Sequence, residues 1–92
     1  MKLAVGPITA ALAAGAAAGL TGIATQAVKD AFELLKSAVR ASFPKIDLRP
    51  IEERPSSQAR QASLTEDLKD AGADQNLEIL QLARALVEAA RW

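Results

Sequence analysis

Residues 3–28 read LAVGPITAALAAGAAAGLTGIATQAV, an uncharged stretch made mostly of Ala and Gly and bracketed by Lys2 and Lys29. No β-branched run in the chain alternates with period two, so no strand is expected. Ala-rich sequence with long charged residues elsewhere reads as helix. Gly6-Pro7 marks a helix start, because proline's missing N–H is not needed in the first turn. From Ile8 the helical pattern can run to Phe43, where Pro44 stops it. One helix of that length exceeds what globular proteins usually use. Gly19-Leu20-Thr21-Gly22 is the weak point, since each interior Gly costs roughly 1 kcal/mol relative to Ala. The chain should therefore form a first helix near 7–20 and a second near 23–43.

The second helix is amphipathic. Val28, Phe32, Leu35 and Val39 fall on one face of a 3.6-residue period, widened by Ala27, Ala31, Leu34 and Ala38. Lys29, Glu33, Lys36 and Arg40 take the other face, and Glu33 has pairing distance to Lys29 or Lys36. Residues 44–56 carry three of the four prolines and read as an extended connection, pinned to the helices by Ile46, Leu48 and Ile51. Ser56 or Ser57 caps a third helix reaching about Ala71, with Leu64 and Leu68 on its apolar face and Gly72 as its stop. Asp74 caps a fourth from Gln75 to about Ala90, with Leu77, Leu80, Ala83, Leu86 and Val87 facing inward and Ile79 and Leu82 flanking. A link of two or three residues makes those two helices antiparallel neighbours. The expected fold is all-α: a small four-helix bundle in one domain over 1–92. It comprises helices in 1–43, a Pro-rich connection in 44–56 and a helical hairpin in 57–92.

Composition removes several functions. With neither Cys nor His, the chain lacks thiol chemistry, the usual general base and the commonest metal ligand. Glu52-Glu53 and Glu66-Asp67 with Asp70 are the remaining acidic clusters, and such pairs are usually solvated helix faces. No enzyme, metal or cofactor is expected. Basic and acidic residues balance at eleven each, and no basic stripe carries interleaved aromatics, so nucleic acid is not expected as a partner. A chain of this length buries only about 60–65% of its unfolded surface, so contacts between copies would matter.

Four roles compete for the apolar stretch. A secretory leader is disfavoured by the long Gly-rich core and by the helical pattern running through Thr25-Gln26-Ala27. A lone membrane span has the length but not the quality: its seven strongly apolar residues supply roughly −3 kcal/mol, opposed by Pro7, Gln26 and three threonines. The remaining two are a permanent core helix, and a helix sheltered in a bundle and released to lipid or to sister copies. In the last, Ala11, Gly15 and Gly19 form a small-residue stripe for self-association. Ile8, Leu12, Leu20 and Ile23 meet lipid or core, and Lys29, Lys36 and Arg40 are candidate lipid-headgroup contacts. On this reading Gly15→Leu or Gly19→Leu should block assembly while the later helices stay folded. Trp92 is read as a packing residue rather than an interfacial anchor.

The order of an Ala/Gly helix, GLTGIATQAVKDAFELLKSAVRASF, a Pro-containing connection and SLTEDLKDAGADQNLEILQLARALVEA resembles the Bell domain, a small helical N-terminal domain of bacterial defence and signalling proteins. Bell domains are regarded as analogues of the fungal HeLo and HeLo-like cell-death domains. The resemblance implies a membrane-targeting, pore-forming executioner triggered by amyloid-type templating from a partner, often an NLR-like receptor. It departs in one respect: the amyloid-forming motif such proteins usually carry has no counterpart in ALVEAARW. Two functions follow as expectations. The first is a membrane-active effector that homo-oligomerises through its N-terminal helix, cytoplasmic and moving to the inner membrane on activation. The second is a non-enzymatic interaction or adaptor domain whose N-terminal helix is permanent core.

Overall fold

A computed structural model describes residues 6–90; Lys2, the first three residues of the uncharged stretch and Trp92 lie outside them. These residues form five α-helices and one 3-10 turn, with no strand: α1 (Gly6–Thr21), α2 (Gln26–Ser42), α3 (Arg49–Glu53), α4 (Gln58–Asp70), the turn Ala73–Gln75 and α5 (Leu77–Ala89). The all-α expectation holds, and the helix count is corrected from four to five. The extra helix is a single turn inside the Pro-rich connection. Asp47 accepts a hydrogen bond from the Arg49 backbone N–H at 3.0 Å, and Pro50 sits in the first turn, where its missing N–H leaves nothing unpaired. The prolines limit this helix rather than forbid it.

Helix ends follow local chemistry. Gly22, at φ 73°, terminates α1: its N–H donates to Gly19 O at 3.3 Å and the Ile23 N–H to Ala18 O at 3.1 Å, the two bonds of a Schellman motif. Thr25, Ser57 and Asn76 cap α2, α4 and α5, each side chain accepting from a backbone N–H three residues on. Asn76 thus starts the last helix two residues later than Asp74 would. Gly72, at φ 80°, lets the chain turn into the 3-10 segment that follows it.

The layering places α1 in the middle. α2 and α5 pack on each other and on α1; α3 and α4 pack on each other and on α1. No Cα of α2 lies within 8 Å of one in α3, and none of α4 within 8 Å of one in α5. The expected hairpin of the last two helices is therefore absent: the 3-10 turn sends α5 across α1 to join α2. Being sandwiched explains why α1 needs no amphipathic pattern. Ile8, Thr9, Ala11, Leu12, Ala13, Gly15 and Ala16 are all buried, an arc of roughly 200° at 100° per residue. Only a narrow face through Ala10 and Ala14 meets solvent in this region.

Around it, Val28, Leu35, Val39, Leu64, Leu68 and Leu86 are buried as expected, while Phe32 and Leu80 are half-buried. Leu48 and Ile51 are buried and Ile46 is half-buried, so the connection is pinned by these aliphatics. Leu77 is corrected: it is 61% exposed, and Ile79 takes the core position with Ala83 and Leu86. The apolar face of α5 is broad enough that only docking on α1 and α2 selects its centre line. Leu34, on the edge of the α2 face, is likewise exposed.

Candidate functional site

The chain's distinctive surface lies at the corner between α1 and α2. The Schellman turn ends α1 just after it leaves the sandwich, so its last residues carry apolar side chains into solvent. Leu20 is 64% exposed and Ile23 75%. An apolar residue at the Ile23 position of such a turn commonly folds back on the helix it ends; here it stays open. Both residues belong to the segment assigned above to lipid or core. Ile8 and Leu12, assigned with them, are fully buried in the sandwich. The structure divides that set into an inner pair and an outer pair.

Two clefts flank the corner. One, of about 490 Å³, has Gly15, Ala16 and Gly19 as its floor, Leu20, Ala24 and Phe32 as apolar walls, and Lys29, Asp30, Glu33 and Glu52 at its rim. The other, of about 540 Å³, lies between Ala17, Leu20 and Thr21 of α1 and residues 53–57 of the connection. Leu20 borders both.

The proposed stripe of Ala11, Gly15 and Gly19 is also divided. Ala11 is fully buried, and a Cβ placed on Gly15 would lie 2.5 Å from Phe32 Cδ1 and 3.2 Å from Leu86 Cδ2. Gly15 lets α2 and α5 approach α1 within one chain, and with Ala11 buried as well, neither offers a face to a second copy in this arrangement. Gly19 is exposed, with nothing within 4 Å of its would-be Cβ. The chemical reason is that small residues permit close approach by any helix, and the chain's own helices are nearest.

Of the candidate headgroup contacts, Lys29 and Arg40 are exposed, whereas Lys36 is engaged. Its Nζ lies 2.9 Å from Glu52 Oε1, 3.7 Å from Glu33 Oε1 and 5.5 Å from the centre of the Phe32 ring. Its side chain is 16% exposed. Of the three candidate headgroup contacts, Lys36 is thus the one held by carboxylates, one of them the Glu33 within pairing distance on its own helix.

Polar chemistry is otherwise sparse. Thr9, buried in α1, is 2.8 Å from Thr65 Oγ1 of α4. Thr65 donates its own hydroxyl proton to Gln61 O at 2.8 Å, so Thr9 must be the donor between the two. Arg49 holds the Asp47 carboxyl below its ordinary range through side-chain and backbone hydrogen bonds, and Asp47 raises Arg49 in return. Glu53 meets Arg60 at 3.5 Å, and Glu66, Asp67 and Asp70 are exposed. Among the described residues no group of three or more His, Cys, Asp or Glu could hold a metal, and no helix is long and apolar enough to cross a membrane. Neither the Thr9–Thr65 bond nor the Lys36–Glu52 pair was expected. Their partners are 56 and 16 residues apart, on elements whose relative placement no local signal carries.

An all-helical domain built around one uncharged small-residue helix, with that helix's apolar end exposed at a corner, is the class that fold and site define. The chain matches the Het-E N-terminal domain family over residues 5–91, nearly its whole length, and belongs to that family. The match fits the HeLo-like class of cell-death domains, of the heterokaryon-incompatibility type. Comparison with curated proteins and with solved structures returns no match.

Proposed function

We propose that this domain is a membrane-active, self-assembling effector of regulated cell death or defence, of the Bell type, in which α1 is sheltered at rest and engages lipid and sister copies on activation. The observation that carries this reading is the exposure of Leu20 and Ile23 at the end of the uncharged helix. Burying what remains open on these two side chains is worth about 2–4 kcal/mol, enough for a first contact with a bilayer and not enough to hold the protein there. Deeper engagement requires α1 to leave the sandwich, consistent with a resting state in which no described helix spans a membrane. Lys29 and Arg40, both exposed on α2, would face anionic headgroups. The domain acts without catalysis, cofactor or nucleic acid, in the cytoplasm until activated, when it moves to the inner membrane, under an NLR-like or other signalling partner.

The second reading is an adaptor domain in which α1 is permanent core. It is favoured by the contacts of α1 with all four other helices. Dye leakage from anionic liposomes separates the two. Removing residues 1–22 would take out the centre of the core, so the informative variant is Leu20→Glu with Ile23→Glu at exposed sites. Leakage by the unmodified chain should fall at least about tenfold in the variant, with stability changed by no more than about 0.5 kcal/mol. A folded, unmodified chain that neither binds nor permeabilises liposomes would sink the effector reading and leave the adaptor.

A further inference from the structure

The sandwich has two seams through which α1 could be uncovered. The 3-10 turn that links α4 to α5 contacts both helices, and its Ala73 is completely buried. The α2/α3 seam is the one that faces a cleft. Their backbones stay more than 8 Å apart at Cα, and the 490 Å³ cleft opens there, onto Gly15, Ala16 and Gly19 of α1. Among the described residues one hydrogen bond crosses this seam, from Lys36 Nζ to Glu52 Oε1 at 2.9 Å.

We infer that the Lys36–Glu52 ion pair is a clasp that closes the α2/α3 seam over α1 and controls whether α1 can leave the sandwich. This rests on the effector reading for its biological purpose but not for its physics. Three features suit the pair to the task. It is partly buried, with side chains 16% and 27% exposed, so its attraction is less screened than that of a surface pair. Lys36 has a standby partner in Glu33, 3.7 Å away on its own helix. When Glu52 departs, Lys36 can turn to Glu33 and Glu52 to water, so opening strands no buried charge. Beneath the clasp α1 presents to the cleft the small residues Gly15, Ala16 and Gly19, with Leu20 the one large α1 side chain there and already 64% exposed, so little of α1 need be withdrawn as the seam parts. An anion that competes for Lys36 would open the same seam.

Because the chain has no Cys, a single introduced thiol reports on the seam. Ala16→Cys lies on the cleft floor, and Ala83→Cys, fully buried on α5, serves as the control. In the full chain, Glu52→Gln should raise the rate of thiol labelling at position 16 at least about fivefold, and Glu52→Lys more, with position 83 unchanged. Circular dichroism checks that each variant keeps its helix content. An unchanged rate at position 16 overturns the clasp. So does an equal rise at both positions, which would make the pair an ordinary stabilising contact. Faster labelling at position 16 without liposome leakage upholds the clasp and counts against the membrane reading, so the two can fail separately.

Discussion

Gly15 is where the sandwich is tightest, and replacing it by Ala tests the packing directly. A Cβ there would stand 2.5 Å from Phe32 Cδ1, 3.1 Å from Phe32 Cγ and 3.2 Å from Leu86 Cδ2. Carbon atoms in comfortable contact sit about 3.5–4.0 Å apart, so the Phe32 ring must retreat by about 1 Å. Overpacking of this kind costs about 1–3 kcal/mol. Against it, Ala gains about 1 kcal/mol over Gly in helix propensity. The net expectation for Gly15→Ala is a loss of about 0–2 kcal/mol. Gly19 on the same helix is the internal control: nothing lies within 4 Å of its would-be Cβ, so Gly19→Ala keeps the propensity gain, up to about 1 kcal/mol. The two variants should differ by about 1–3 kcal/mol, which separates their melting temperatures by at least about 4 °C in a domain of this size. Thermal melts followed by circular dichroism measure this. Trimming the ring with Phe32→Leu should relieve part of the cost in the Gly15→Ala background, a favourable coupling of about 1 kcal/mol in a double-mutant cycle. If Gly15→Ala melts as high as Gly19→Ala, the close approach of α2 to α1 is wrong. Gly15→Leu accordingly reports on the folding of one chain rather than on assembly, whereas Gly19→Leu remains a clean probe of contacts between copies.

Two further outcomes follow from the polar contacts. Thr65→Val should destabilise by about 1–3 kcal/mol, because it removes the acceptor that Thr65 Oγ1 gives the buried Thr9 hydroxyl, while Thr9→Val leaves Thr65 bonded to Gln61 and should be nearly neutral; urea titrations giving equal losses would overturn the donor assignment. The Asp47 carboxyl, lowered from 3.8 by Arg49, gives stability that is present above pH 3.8 and lost as pH falls through its lower folded value. Arg49→Ala should bring the Asp47 titration midpoint, followed by NMR, back up toward 3.8 with little effect on melting at neutral pH, since both groups are exposed; an unmoved midpoint would remove Arg49 as the cause.

Much of this architecture is legible locally. Ala and Leu enrichment, the Gly19–Gly22 break, Ser57 before α4 and Gly72 after it act within a few residues of where they stand, so helix existence and most boundaries can be read from the chain itself. The amphipathic face of α2 likewise names its own core residues. The uncharged composition of α1 says that it must be buried or must meet lipid, and the absence of Cys and His removes whole classes of chemistry. What local patterns lack is direction. A helix apolar all round can present any face to any neighbour, so only packing decided that Ala11 and Gly15 are buried, Gly15 against α2 and α5, while Gly19 and Leu20 stay outside. The same ambiguity hid the choice of Ile79 over Leu77. The 3-10 turn that diverts α5 from α4, and with it the three-layer arrangement, depends on buried area summed over the whole chain rather than on any one link. Lys36 looks like a solvated cation in its helix; it becomes a cross-seam partner only because α1 holds α2 and α3 at the distance a Lys–Glu pair can span.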